Sequence, residues 1–123
     1  MASARNEFVE YVVELMTGWA SVSARKMFGG YGLYHEGLMF ALIAEDQLFF
    51  KTDADNESQF ERAGSHPFVY TSKTRIVQMS YWSAPEAGLE SAAEICDWCQ
   101  SAYGAALRAN AVKASKLGKV KRK

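Results

Sequence analysis

The sequence predicts an α+β fold: an antiparallel sheet of about five strands, with an N-terminal and a C-terminal helix packed on it. Two observations predict it. Near both ends of the chain, apolar residues recur at spacings of three and four, as on a helix with one buried face. Through the middle the spacing drops to two, and turn-forming clusters such as His35-Glu36-Gly37 and Ala44-Glu45-Asp46 break the pattern into short pieces.

Asn6 to Trp19 reads as the first helix. Phe8, Tyr11, Val12, Leu15, Met16 and Trp19 share one face, and Glu7, Glu10 and Glu14 take the other, where early acids suit the helix dipole. Gly18 weakens its last turn. A meander follows: Arg25 to Phe28, Tyr31 to Tyr34, Leu38 to Ile43 and Gln47 to Lys51. Thr52 to Gly64 reads as a short helix with Thr52 as its cap, Phe60 as its core anchor and Gly64 at its end. Pro67 prevents any continuation. Phe68 to Tyr70 and Arg75 to Trp82 form a second strand pair around a turn at Thr71 to Thr74. Ser83-Ala84-Pro85-Glu86 has the pattern of a capping box with proline in the permitted first turn. The helix behind it carries Leu89, Ala92, Cys96, Cys99, Tyr103 and Ala106 on one stripe and is expected to fade near Asn110.

The chain is expected to form one domain over residues 1–112, followed by a basic flexible tail over 113–123, too polar to fold alone. Its apolar content of 49% is enough for a core of useful size. Formal charge is zero, but it is unevenly placed. Six of the fourteen Lys and Arg residues lie from Lys113 onward, where there is no acid, so the first 112 residues hold eight cations against fourteen carboxylates. The body is −6 and the tail +6. Two expectations for Lys113, Lys116, Lys119, Lys121, Arg122 and Lys123 follow: a solubilising or self-docking arm, or weak contact with nucleic-acid phosphates. No export leader is evident, two cysteines make no disulfide framework, and the longest apolar run, Leu38 to Ile43, is far short of the roughly 20 residues a bilayer span needs. A cytoplasmic protein is expected.

The segment Arg25-Lys26-Met27-Phe28-Gly29-Gly30-Tyr31-Gly32-Leu33-Tyr34 carries three glycines among aromatics. A phosphate loop would need a helix after the glycines, and an alternating strand pattern follows instead. The glycines are better explained as a bend or bulge at Gly29-Gly30, with Gly32 leaving room for a side chain to lie over the strand. Exposed rings on a sheet can also stack bases, although the RRM strand motif is absent.

The same segment closely resembles the signature of the TfoX N-terminal domain family. Leu38-Met39-Phe40-Ala41-Leu42, Leu48 to Asp53, Gly64, Pro67-Phe68 and Met79-Ser80-Tyr81-Trp82 before Pro85-Glu86 agree in order, so the resemblance spans about Glu7 to Leu107. It implies a curved antiparallel sheet with helices on it, similar to the secretion-chaperone-like fold. Longer members resemble transcriptional coregulators of natural competence and carry a second, C-terminal domain, so this chain is expected to be a stand-alone N-terminal domain. The family offers no catalytic residues to carry over.

Reactive residues are few. Cys96 and Cys99 lie too far past their helix start for a thioredoxin-type pair, and zinc would need two further ligands, so both are expected in the core. His35 is expected to be solvated in a hairpin turn, and His66 to end a loop. Asp53 to Glu57 resembles the start of a calcium loop, but Ser58 and Gly64 stand where glycine and glutamate belong. No metal or cofactor is expected. Arg25, Lys51 and Asp53 sit at strand ends and are expected either to form an ion pair that orders the sheet edge or to line a ligand cleft. Two functions stay open. One is a non-catalytic regulatory or protein-interaction domain, with a protein partner or a homodimer. The other is a small-molecule-binding protein or enzyme whose site gathers Arg25, Tyr31, Tyr34 and Lys51.

Overall fold

The computed structural model describes the backbone of residues 6–27, 30–71 and 76–121, and the side chains of 6–27, 30–69 and 79–113. The order is α1 (Glu7–Met16), β1 (Ser23–Met27), β2 (Gly30–His35), β3 (Leu38–Ala44), β4 (Gln47–Lys51), α2 (Glu57–Arg62), β5 (Pro67–Thr71), β6 (Ile76–Ser83), a 3-10 turn (Glu86–Leu89) and α3 (Ala92–Lys121). The six strands make one unclosed antiparallel sheet in the order β1-β2-β3-β4-β6-β5. The turn expected at Thr71 to Thr74 lies mostly outside the described residues.

Register decides what each strand side chain does, because alternate residues point to opposite faces. One face meets the helices. It carries Leu33, Phe40, Ala41, Ile43, Leu48 and Phe50, which pack with Val9, Val12 and Met16 of α1 and Ile95, Cys99, Ala102 and Ala106 of α3. A register shift near Leu33/Tyr34 adds one residue to β3: Leu33 pairs with Ala41 and Tyr34 with Met39, leaving Phe40 between. That bulge lets the consecutive residues Phe40 and Ala41 both reach the helix side, where both are fully buried. The other face has a smaller cluster of Leu42, Phe49 and Tyr81, with Met39, Ala44 and Phe68 against it. No described helix covers it.

Several element ends differ from expectation. Asn6 caps α1 by accepting the Val9 N–H. Thr52 does not cap α2. It is buried, and its N–H donates to the Ser80 carbonyl. Asp53 and Asn56 form a closed turn instead: Asp53 Oδ1 accepts the N–H groups of Asp55 and Asn56, and Asn56 Oδ1 accepts that of Asp53. That turn delays the helix to Glu57. Ser83 stays in β6, and its hydroxyl accepts the His66 N–H. The cap of α3 is Ser91, whose hydroxyl accepts the Glu94 N–H at 3.0 Å. The helix then runs past Asn110 to Lys121, although among its described side chains none beyond Ala106 is buried. Its buried stripe is Ile95, Cys99, Ala102, Ala105 and Ala106. Ala92 is exposed and Cys96 half-buried.

Candidate functional site

The face away from the helices brings three of the expected residues together. Ser23, Arg25 and Met27 of β1 line up with Tyr34 and Gly32 of β2, Met39, Leu42 and Ala44 of β3, Gln47, Phe49 and Lys51 of β4, and Tyr81 and Ser83 of β6. None of these is acidic. The Arg25 guanidinium lies 4.8 Å from the centre of the Tyr34 ring, and the Lys51 ammonium 5.2 Å from that of Tyr81. Lys51 Nζ also donates to Ser80 Oγ at 2.7 Å. Partial burial holds the Lys51 pKa below the usual lysine value, against the opposing pull of Asp53. Burial pushes the Tyr81 phenol up to about 12, and nearby Tyr34 adds to the rise. Gly32 serves as the sequence suggests: a β-carbon there would sit 2.8 Å from Met27 Sδ and 3.1 Å from Met39 Sδ and Tyr34 Cε1.

Tyr31 and Asp53 lie elsewhere. Tyr31 pairs with Ile43 and packs on the helix side of the sheet, away from Tyr34. Asp53 is gripped by Arg108 of α3, with Nε to Oδ2 at 2.6 Å and Nη2 to Oδ1 at 3.0 Å, and Asp55 stands 3.2 Å from Arg108 Nε. This fork holds the Asp53 carboxyl below its usual range and raises the Arg108 pKa. Beneath it, buried Asn56 donates to the carbonyls of Lys51 and Ser101 and to Ser101 Oγ. Together these contacts tie the β4–α2 connection to α3. An open groove of about 680 Å³ runs along the same seam, lined by residues including Gln59, Arg62, Asp97, Trp98 and Arg108. Arg108 was missed by sequence reasoning, because no local pattern links residues on separate elements so far apart in the chain.

The remaining reactive groups are structurally occupied. Cys99 is buried, and desolvation pushes its thiol pKa up, away from reactivity. His35 is not a free turn residue. It ends β2, its ring packs against Trp19 and Tyr103 at 5.1 and 5.0 Å, and Nδ1 lies 2.8 Å from the Ser21 carbonyl oxygen. His66 packs on Phe49, with Nδ1 3.3 Å from Ser83 Oγ. Among the described residues no group of three or more His, Cys, Asp or Glu is placed to hold a metal ion, and no helix is long and apolar enough to cross a membrane. Lys113 is exposed on α3. The side chains of Lys116, Lys119, Lys121, Arg122 and Lys123 lie outside the described residues.

Comparison with known proteins agrees with the resemblance in the glycine-rich segment. The TfoX N-terminal domain matches residues 14–106. The chain is also similar to the DNA transformation protein TfoX1 of Aliivibrio fischeri (strain ATCC 700601 / ES114). Identity is 29% over 86 residues, which cover 70% of this chain and 39% of the relative. The match thus spans well under half the length of that relative.

Proposed function

The chain belongs to the TfoX N-terminal domain family, and from that premise we propose that it is a non-catalytic regulatory domain acting through protein contacts in a competence-related setting. The observation that carries this reading is the face of the sheet that no described helix covers. It sets adaptable methionines and aromatics beside two cations, with no carboxylate among the residues its register aligns. Met27 and Met39 are unbranched and polarisable, and so suit a surface that re-packs on a partner. The partner is a second protein or a second copy of this chain.

Ser23 is exposed on that face, so a photo-crosslinking amino acid placed there in native cells should yield defined protein adducts. The same group at exposed Glu94 on α3 should not yield them. Deleting the gene should shift transcript levels of a coherent gene set. No protein adduct at Ser23, together with a small molecule retained on native purification, would overturn this reading in favour of a ligand-binding protein.

A further inference from the structure

Resting on the interaction-domain reading, we propose that this face seats an acidic segment of a partner protein, one that mixes carboxylates with apolar side chains. The first 112 residues carry a net −6, yet the strand residues aligned on this face include Arg25 and Lys51 and no acid. The aligned residues of this sheet face thus hold cations without acids.

The two cations also lack the counter-ion that would make them merely structural. Among the described residues neither is in an ion pair with a carboxylate. Asp53, whose charge acts on Lys51, is itself taken up in the fork with Arg108. Lys51 is therefore a part-buried ammonium held by a hydroxyl and a ring face, with donor capacity left over. A partner carboxylate would supply the missing charge, and it would be worth more there than at a fully hydrated site. Over Gly32, the register partner of Arg25, the sulfurs of Met27 and Met39 meet the Tyr34 ring, an apolar floor for side chains flanking that carboxylate.

Nucleic acid fits less well. Phe49 and Tyr81 are only 4% and 8% exposed, so neither ring is free to stack a base. Among the described residues, the two cations on this face make no continuous track for phosphates.

Panning a library of random displayed peptides on the intact chain at low salt tests this directly. The expected result is enrichment of peptides that combine Asp or Glu with Leu, Met or aromatic residues. A labelled enriched peptide should bind the Arg25→Ala/Lys51→Met variant at least about tenfold more weakly, and binding should fall with added salt. The charge-keeping Arg25→Lys/Lys51→Arg variant should retain most of the affinity. It also keeps the test decisive if the first variant folds poorly. Enriched peptides with no acidic excess, or with equal affinity for the folded variant lacking both charges, would overturn the inference while leaving the interaction domain standing. Failure to enrich any peptide, with or without binding of a single-stranded oligothymidylate, would overturn the inference, and the adducts at Ser23 would then decide whether the interaction domain stands.

Discussion

Gly30 and Gly32 point to the same face of β2, and each is glycine for its own packing reason. A β-carbon at Gly30 would overlap the backbone carbonyl oxygen of Ile43, which cannot move without distorting β3. At Gly32 the nearest atoms belong to the side chains of Met27, Met39 and Tyr34, and the two thioethers can swing aside. Gly30→Ala should therefore lower stability by about 1–3 kcal/mol, the usual cost of forcing atoms into a packed site, and Gly32→Ala by clearly less. Urea melts of the two variants check the order, and equal midpoints would remove the close-approach argument. Asp53 gives a pH-dependent counterpart. Arg108 lowers its folded pKa, so the pair contributes stability above the ordinary carboxylate value of about 3.9 and loses it as pH falls through the lowered folded value. Both side chains are partly exposed, so Arg108→Ala should cost only about 0.5–1 kcal/mol at neutral pH. The gap to the parent chain should close in strong acid. A gap that persists there would mean Arg108 acts through packing of its stem.

Helix α3 shows what a sequence pattern can and cannot place. Ser83-Ala84-Pro85-Glu86 has the right residues for a cap, but Ser83 is held in β6 by its pairing with Phe49 and by the His66 N–H. The capping hydroxyl belongs to Ser91. Ser91→Ala should cost about 1 kcal/mol and leave the sheet intact, whereas Ser83→Ala should leave the helix start unchanged. Amide exchange at Glu94 separates the two, rising only in the Ser91 variant. The larger pattern was legible because it rests on periodicity. Strands β1 to β4 fall within two residues of their expected bounds, and Phe60 is fully buried as its position on α2 suggests. Three features were not legible, since each depends on distant partners. The placement of β6 between β4 and β5, the extra residue at Phe40 and the Asp53–Arg108 fork come from tertiary pairing that no local window contains. The candidate site sits between these cases. Tyr31 and Tyr34 are three apart on a strand, and spacing alone assigns them to opposite faces. Grouping Arg25 with Lys51 required the register across four strands.

The whole molecule is electrically lopsided along its sequence, with six of its fourteen cations after Val112 and all fourteen acids before it. Among the described residues of α3 the buried positions end at Ala106, Leu107 and Val112 are 48% and 56% exposed, and the helix backbone continues to Lys121. A chain ended at Val112 should therefore keep its melting midpoint, because no described residue beyond Ala106 is buried. The same chain loses six cations and keeps a body of net −6, so whatever affinity the full chain has for duplex DNA should vanish with the truncation. Lysine-rich segments grip phosphates without reading base edges, so that affinity should not depend on sequence. Six neutralised phosphates set a limit near −5 for the log–log salt slope, at about 0.9 per contact. Repulsion from the acidic body lowers the affinity further, which makes low salt the condition in which to look. Titrating both chains with unrelated duplexes at low and moderate salt measures all three quantities. Binding that survives truncation, or that prefers one duplex, would move recognition into the folded domain and make the basic end of α3 a bystander.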